Sequence, residues 1–277
     1  MIRRLILNAD DYGLCSEVNV AIEELIEAGR LNDVSVLANG NELDSAVRFL
    51  RAHTQVSIGV HLNAIEGLPL SNAANVKNLI GSNGTWTGLR KLMLRWAARP
   101  TAVSRVVELE WRMQIELLLE RGLRLSHADS HQHVHAFPPA WRIAVKLCSE
   151  YGIPSLRFPR ERNALPMRRV GAFALGASLA ASRLMAGGTG LRHNEHFLGF
   201  KRAGAYGFQE LVNDLRQIPA GVAELALHPS TADGIPYPNL FGNHERLALL
   251  DSSWPEAIAE LGIELTTWKD IANDREK

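Results

Sequence analysis

Short apolar or β-branched runs alternate with amphipathic helical patterns almost from end to end of this chain, and few architectures accommodate that rhythm. "RRLILNADD" reads as a strand that stops on acidic residues. "SEVNVAIEELIEAGR" follows as a helix, with Ser16 as its cap, Val20, Ile22, Leu25 and Ile26 on its apolar face, and Gly29 at its stop. "DVSVLAN" (strand), "ELDSAVRFLRAH" (helix) and "QVSIGVHLN" (strand) continue the pattern, and residues 101–121 carry the longest helical stretch. Then come the strand "LRLSHADSH", a helix from Pro138 to about Tyr151, "IPSLRFP", a helix near 207–217, "AELALHP" and "GIELTTW". About seven strand–helix units predict a parallel sheet, open or closed. Without an internal repeat, linker or low-complexity tract, residues 1–277 are expected to form one α/β domain.

Composition narrows the function classes. Hydrophobic residues make up 46% and charged residues 22%, enough to build a real core. Lys plus Arg and Asp plus Glu both number 30, so net charge points to no nucleic-acid partner. Cys15 and Cys148 lie far apart without a CxxC, which disfavours a disulfide framework and suits a reducing cytoplasm. The apolar run in "MIRRLILNADDYG" is too short for a signal peptide. No stretch reaches the roughly 18 apolar residues of a membrane span; the nearest, residues 170–188, is interrupted by Arg183.

The chemistry concentrates in "HADSHQHVH", residues 127–135. Read with a period of two, His127, Asp129, His131, His133 and His135 share one face, which is strand spacing. Other strand ends carry Asp10 and Asp11, His61, Arg157 and His228. Active sites of parallel α/β folds gather at the C-terminal ends of strands, so these side chains are expected to meet at one rim. Each has a plainer reading: a turn at Asp10–Asp11, core histidines at His61 and His228, a polar loop at 127–135. Neighbours on a strand cannot share a face, so Asp10 and Asp11 are expected to serve different roles, one on a metal and one as a base. One carboxylate and two imidazoles with open positions suit Zn, Mn, Fe or Co, whereas Mg prefers oxygen ligands. His53, His193, His196 and His244, in helical or loop contexts, read as surface or structural. Ser16, Cys15 and Cys148 lack a visible triad, and no Walker loop or GxGxxG is present.

In order along the chain, "NADDYGL", "VNVAIEELIEAGRLNDVSVLANG", "IGVHLNAIEGLPL", "HADSHQHVHAFP" and "LALHPS" resemble the YdjC-like carbohydrate deacetylase family, from residue 3 to about residue 270. The resemblance implies a single-domain distorted (β/α) TIM-like barrel that hydrolyses N-acetyl groups of amino sugars with one divalent metal ion, Zn2+ or Mg2+/Mn2+. The family's ligands fall on Asp11, His61 and His131, its base on Asp10 and its acid on His228. Asn63, Asp129, His133, His135 and Arg157 are expected to bind substrate. Tyr12 stands where Phe is common and Ser230 where Gly is common; neither removes a functional group. The stretches "RWAARPTAVSRVVELEWRMQIE", "LRFPRE" and "MRRVGAFALGASLAASRLMAGG" are most similar to members associated with hopanoid biosynthesis, which implies an N-acetylglucosaminyl hopanoid as substrate. A chitooligosaccharide or another soluble N-acetylated sugar is the alternative, followed by a catalytically inactive carbohydrate-binding barrel or a phosphoesterase or amidohydrolase of another metal-barrel family. The expected location is the cytoplasm, and expected partners extend to a homodimer and to peripheral contact with the inner membrane. Residues 165–190 are the stretch for that contact: a core-facing helix, or an interfacial one with Arg168 and Arg169 near anionic headgroups.

Overall fold

The computed structural model describes residues 2–161, 190–238 and 240–274. Among them are eight strands: β1 (Arg3–Tyr12), β2 (Asp33–Val36), β3 (Ser57–Leu62), β4 (Leu125–Ser130), β5 (Ser155–Leu156), β6 (His196–Leu198), β7 (Gly221–Leu227) and β8 (Ile263–Thr266). All pair in parallel in the order β5-β4-β3-β2-β1-β7-β6, and β8 adds to β1. β8 takes the Arg3–Ile6 half of β1 and β2 takes the half from Asn8, so the strand serves different neighbours at its two ends. The sheet's outer edges are linked through Arg192. Its carbonyl accepts the Leu156 N–H at 3.0 Å, its own N–H donates to Pro154 at 2.9 Å, and the chain then enters β6 beside β7. The result is the expected α/β fold, a curled parallel sheet forming a distorted TIM-like barrel.

Ten helices are described: α1 (Ser16–Glu27), α2 (Leu43–Ala52), α3 (Ala73–Val76), α4 (Leu89–Ala98), α5 (Pro100–Glu120), α6 (Pro138–Tyr151), α7 (Phe208–Arg216), α8 (Gly242–Leu250), α9 (Trp254–Glu260) and α10 (Trp268–Asn273). The expected strands and helices are present with small shifts in their ends. Two details of α1 differ. Cys15 rather than Ser16 occupies the cap position, and the Ser16 hydroxyl donates to Glu17 instead. Val20 is exposed, and the buried face runs through Val18, Ala21, Ile22, Leu25 and Ile26. Gly29 ends the helix in a left-handed conformation, as expected (φ 66°). His196 opens strand β6, where a helix or loop was expected. Of the run at 165–190, all but Gly190 lies outside the described residues. No described helix is long and apolar enough to cross a membrane.

Alternation along β1 sorts the interior. Leu5, Leu7 and Ala9 join the main core with Ile22 and Leu25 of α1, whereas Ile6 packs below with Val222, Trp268 and Ile271. Trp268 plugs the bottom of the barrel. Its backbone N–H donates to Asp33 at 2.9 Å, its indole N–H to Glu224 at 3.1 Å, and its ring stacks on His127 at 5.5 Å. Burying such a ring is worth about 4–6 kcal/mol before entropy. Above this plug the barrel fills with polar side chains from successive strands: Asn8, Ser35, His127, Asp129, Arg157 and Glu224, all buried. The column leads up to the strand ends.

Candidate metal centre and active site

The period-two face expected over residues 127–135 holds only as far as Ser130. There β4 ends, and His131–Ala136 form a tight 3-10 turn in which Gln132 and His133 adopt left-handed backbone angles (φ 49° and 54°). The four histidines therefore part company. His127 stays below, beside Asn8 and Ser35. His131 swings to Asp11. His133 meets Phe197 and Phe200, and His135 turns back, with Nδ1 2.6 Å from the Ser130 hydroxyl and Nε2 3.0 Å from the Arg157 carbonyl.

A second irregularity brings the two aspartates together. The β1–β2 register shifts between Ala9 and Tyr12, and Asp11 has a positive φ of 63°, a conformation Asp tolerates better than most residues. Asp10 and Asp11 thus both approach His61, despite the expectation that strand neighbours face apart. Asp11 Oδ1 lies 3.2 Å from His61 Nε2 and 2.8 Å from His131 Nδ1. Tetrahedral bonds of ~2.0–2.2 Å place ligand atoms roughly 3.3–3.6 Å apart, so the three donors fit one small divalent cation after a slight expansion. His61 Nδ1 lies 2.7 Å from Asp129 Oδ1, and Ser35 donates to the other oxygen of Asp129 at 2.7 Å. A carboxylate behind a ligating imidazole fixes its orientation and leaves the other nitrogen's lone pair for the ion. A second cluster, Asp10, His61 and Asp129, also converges. Its cation already exists: the Arg157 guanidinium sits 2.7 Å from both Asp10 and Asp129.

Electrostatics agree with a cation at Asp11. Burial opposes a charged carboxylate there, but the His131 charge and hydrogen bonds to His131 and His61 hold Asp11 well below the usual range. Burial likewise works against charged imidazoles. Asp11 and the Glu66 contact nevertheless push His131 up to about 9, and Asp129 and Asp11 raise His61 well above the ordinary value. The pocket stabilises positive charge, and a metal would displace protons from it.

Residues 4–260 match the family model described as YdjC-like protein. The chain belongs to the YdjC-like family. A carbohydrate deacetylase of Mus musculus is 31% identical to it over 242 residues, 82% of this chain and 77% of that protein. One of Oceanobacillus iheyensis is 34% identical over 151 residues, 54% of this chain and 63% of that protein, so the match spans less than two-thirds of that relative. In fold, this YdjC-like chain resembles the crystal structure of a putative cellobiose-phosphate cleavage protein from Enterococcus faecalis V583, with a TM-score of 0.76 and 24% identity over 98% of this chain and 99% of that one.

Beside the Asp11–His61–His131 cluster lies a carboxylate–imidazole pair. Arg157 grips both oxygens of Asp10 at 2.7 Å, and Asn8 donates to Oδ1 at 2.7 Å. Asp10 Oδ2 is 4.0 Å from His228 Nε2. The His228 backbone N–H is anchored on buried Glu245 at 2.6 Å. Glu224 completes the charge cluster, 2.8 Å from Arg157; burial raises it to about 7 despite that neighbour.

Most of the residues expected to bind substrate are buried. Asp129, His135 and Arg157 have no exposed surface and are engaged by protein groups, so they support the site from below. Asn63 is buried as well. Its Oδ1 accepts the backbone N–H groups of Ile65 and Glu66 at 3.0 and 3.2 Å, which shapes the loop after β3. Among those five, only His133 keeps partial exposure. Burial, then the Arg157 charge, hold it well below the ordinary histidine range, so its ring is neutral. Sequence reasoning missed Glu224, Glu66 and Tyr237. Glu224 was findable, since "AELALH" places it, Ala226 and His228 on one strand face. Glu66 and Tyr237 lie on loops, where no periodicity marks them.

Proposed function

We propose that the chain is a metal-dependent hydrolase that removes the N-acetyl group from an amino sugar. One observation carries this reading: the Asp11–His61–His131 donor set and the Asp10–His228 pair occupy the same rim of the barrel. A divalent ion held by Asp11, His61 and His131 would supply Lewis acidity, polarising an acetamide carbonyl and acidifying water toward a pKa of ~7. Asp10, aimed by the two-pronged Arg157 contact, takes the proton of the attacking water. His228 gives a proton to the leaving amine. His133, between Phe197 and Phe200, offers a neutral ring beside which the sugar can sit. The relatives' names, carbohydrate deacetylase, support the same chemistry.

The finer reading is an N-acetylglucosaminyl hopanoid as substrate, supported by the resemblance of residues outside the metal centre to hopanoid-associated members. It brings the protein to a bilayer surface from the cytoplasmic side; the homodimer remains part of the proposal. Acetate and phosphate release from N-acetylglucosamine, chitobiose, a UDP-linked sugar and a hopanoid-linked sugar test it together. The highest acetate yield is expected from the hopanoid-linked sugar. Acetate from chitobiose alone overturns the hopanoid reading, and no acetate from any of them overturns the deacetylase. Sedimentation with anionic liposomes in low and high salt checks the membrane contact, which is refuted if the protein stays in the supernatant in both.

A further inference from the structure

His131 turns Nδ1 toward Asp11 and points Nε2 away from the metal centre. There Nε2 meets two groups that the proposed reaction does not use: Glu66 Oε2 at 3.1 Å and the Tyr237 hydroxyl at 3.2 Å. A neutral imidazole carries one hydrogen. For Nδ1 to offer a lone pair to a cation, that hydrogen must sit on Nε2, and a carboxylate against Nε2 selects that tautomer. His61 shows the mirror arrangement, with Asp129 at Nδ1 and Nε2 turned to Asp11. The two imidazoles therefore present opposite nitrogens, each with its own carboxylate behind it.

The two carboxylates are built differently. Asp129 is fully buried in β4, whereas the Glu66 side chain is 40% exposed on the loop after β3. A residue on a loop positions nothing unless the loop is held, and this one is held from below by α5. Gln114 accepts the Asn63 N–H at 2.8 Å and donates to the Asn63 carbonyl at 2.6 Å. Glu110, with no exposed surface, accepts the backbone N–H groups of Leu70 and Ser71 at 3.0 and 2.9 Å and also the Ser71 hydroxyl. A buried carboxylate is costly unless it is fully hydrogen-bonded. Here its partners are the Gln114 amide, at 2.9 Å, and the far end of the turn that carries Glu66. Asn63 pins the near end through its contacts with Ile65 and Glu66.

We propose that Glu66 is a positioning residue for the metal centre, holding His131 in the Nε2–H tautomer, with Tyr237 as its partner from the loop after β7 and Glu110 and Gln114 as the clamp that places it. The inference rests on Asp11, His61 and His131 being the metal ligands. The test is calorimetric titration of Zn2+ into metal-free full-length protein for the wild type, Glu66→Ala, Glu66→Gln, Leu68→Ala and Asp11→Asn, each checked for folding by circular dichroism. Glu66→Ala is expected to weaken Zn2+ binding about 10–100-fold. Glu66→Gln, which keeps an acceptor but not the charge, falls between it and the wild type. Leu68→Ala, an exposed change on the same loop, leaves the affinity alone. A Glu66→Ala affinity within threefold of wild type, with binding lost in Asp11→Asn, overturns the role of Glu66 while leaving the centre standing. Equal weakening in Leu68→Ala reassigns the effect to the loop and also overturns it. Wild-type binding by Asp11→Asn removes the metal centre itself, and this inference with it.

Discussion

Arg157 holds the site together at the scale of single residues. One fully buried guanidinium lies 2.7 Å from Asp10, 2.7 Å from Asp129 and 2.8 Å from Glu224, so three carboxylates in a low-dielectric interior share one cation. Removing one partner of a buried ion network strands the others. Arg157→Met is therefore expected to cost about 3–5 kcal/mol, read as a lower urea midpoint at unchanged slope. Arg157→Lys keeps the charge but not the planar fork, so its larger loss is expected in turnover, through a misaimed Asp10. A stability change below about 1 kcal/mol in Arg157→Met would mean that the carboxylates are neutral without it. The neighbouring aspartates separate in a second comparison. Asp10→Asn should lower kcat by about 10²–10⁴-fold while Zn2+ affinity holds, because a general base is lost and no ligand is. Asp11→Asn should lose the metal. If both variants fail in the same way, the division of labour between Asp10 and Asp11 is wrong.

The strands and helices show which of these features a sequence can carry. β1 and β7 were legible because an acidic or imidazole residue in an apolar period-two run has few places to go but the strand end or the barrel interior. α5 was legible from its length and periodicity, but its buried Glu110 and Gln114 were not, since a polar residue on a helix reads as solvent-facing until a loop is seen to lie over it. The 131–136 turn was misread because Gln132 and His133 take left-handed angles without a glycine to announce them. β6, only three residues long, was too short for any periodic signal. Gly59 hides a constraint of the same kind. A Cβ there would lie 2.2 Å from His127 Nε2, and that ring is fixed between Trp268 and the Asn8 and Ser35 side chains. Gly59→Ala is expected to destabilise by about 1–3 kcal/mol through overpacking. His127→Ala in the same chain should recover part of that loss, so a double-mutant cycle on thermal midpoints reads the coupling. Additive losses would show that the glycine is required for some other reason.

For the whole molecule, the polar barrel interior makes stability depend on pH from both sides. Burial holds His127 down to about 3 and His135 down to about 4, so both are neutral when folded, whereas an unfolded histidine takes up its proton near pH 6.5. Between pH 6.5 and about 4 the unfolded chain thus binds more protons. Stability is fully present above pH 6.5 and falls as pH drops, by up to about 1.4 kcal/mol per pH unit for each group. His131 has the opposite sign. Asp11 and Glu66 outweigh burial and raise it to about 9, so its contribution is complete below pH 6.5 and is lost as pH rises through about 9. Metal-free protein should therefore be most stable just below neutrality. A cation at Asp11, His61 and His131 replaces the proton on His131, so loading with Zn2+ should stabilise little at pH 6 and progressively more toward pH 9. Urea midpoints from pH 4.5 to 9, with and without Zn2+, measure both limbs, and His127→Gln should shallow the acid limb alone. An acid limb that is flat from pH 6.5 to 4.5 would show that water reaches His127 and His135. A Zn2+ effect of constant size across the alkaline range would place the bound ion away from His131.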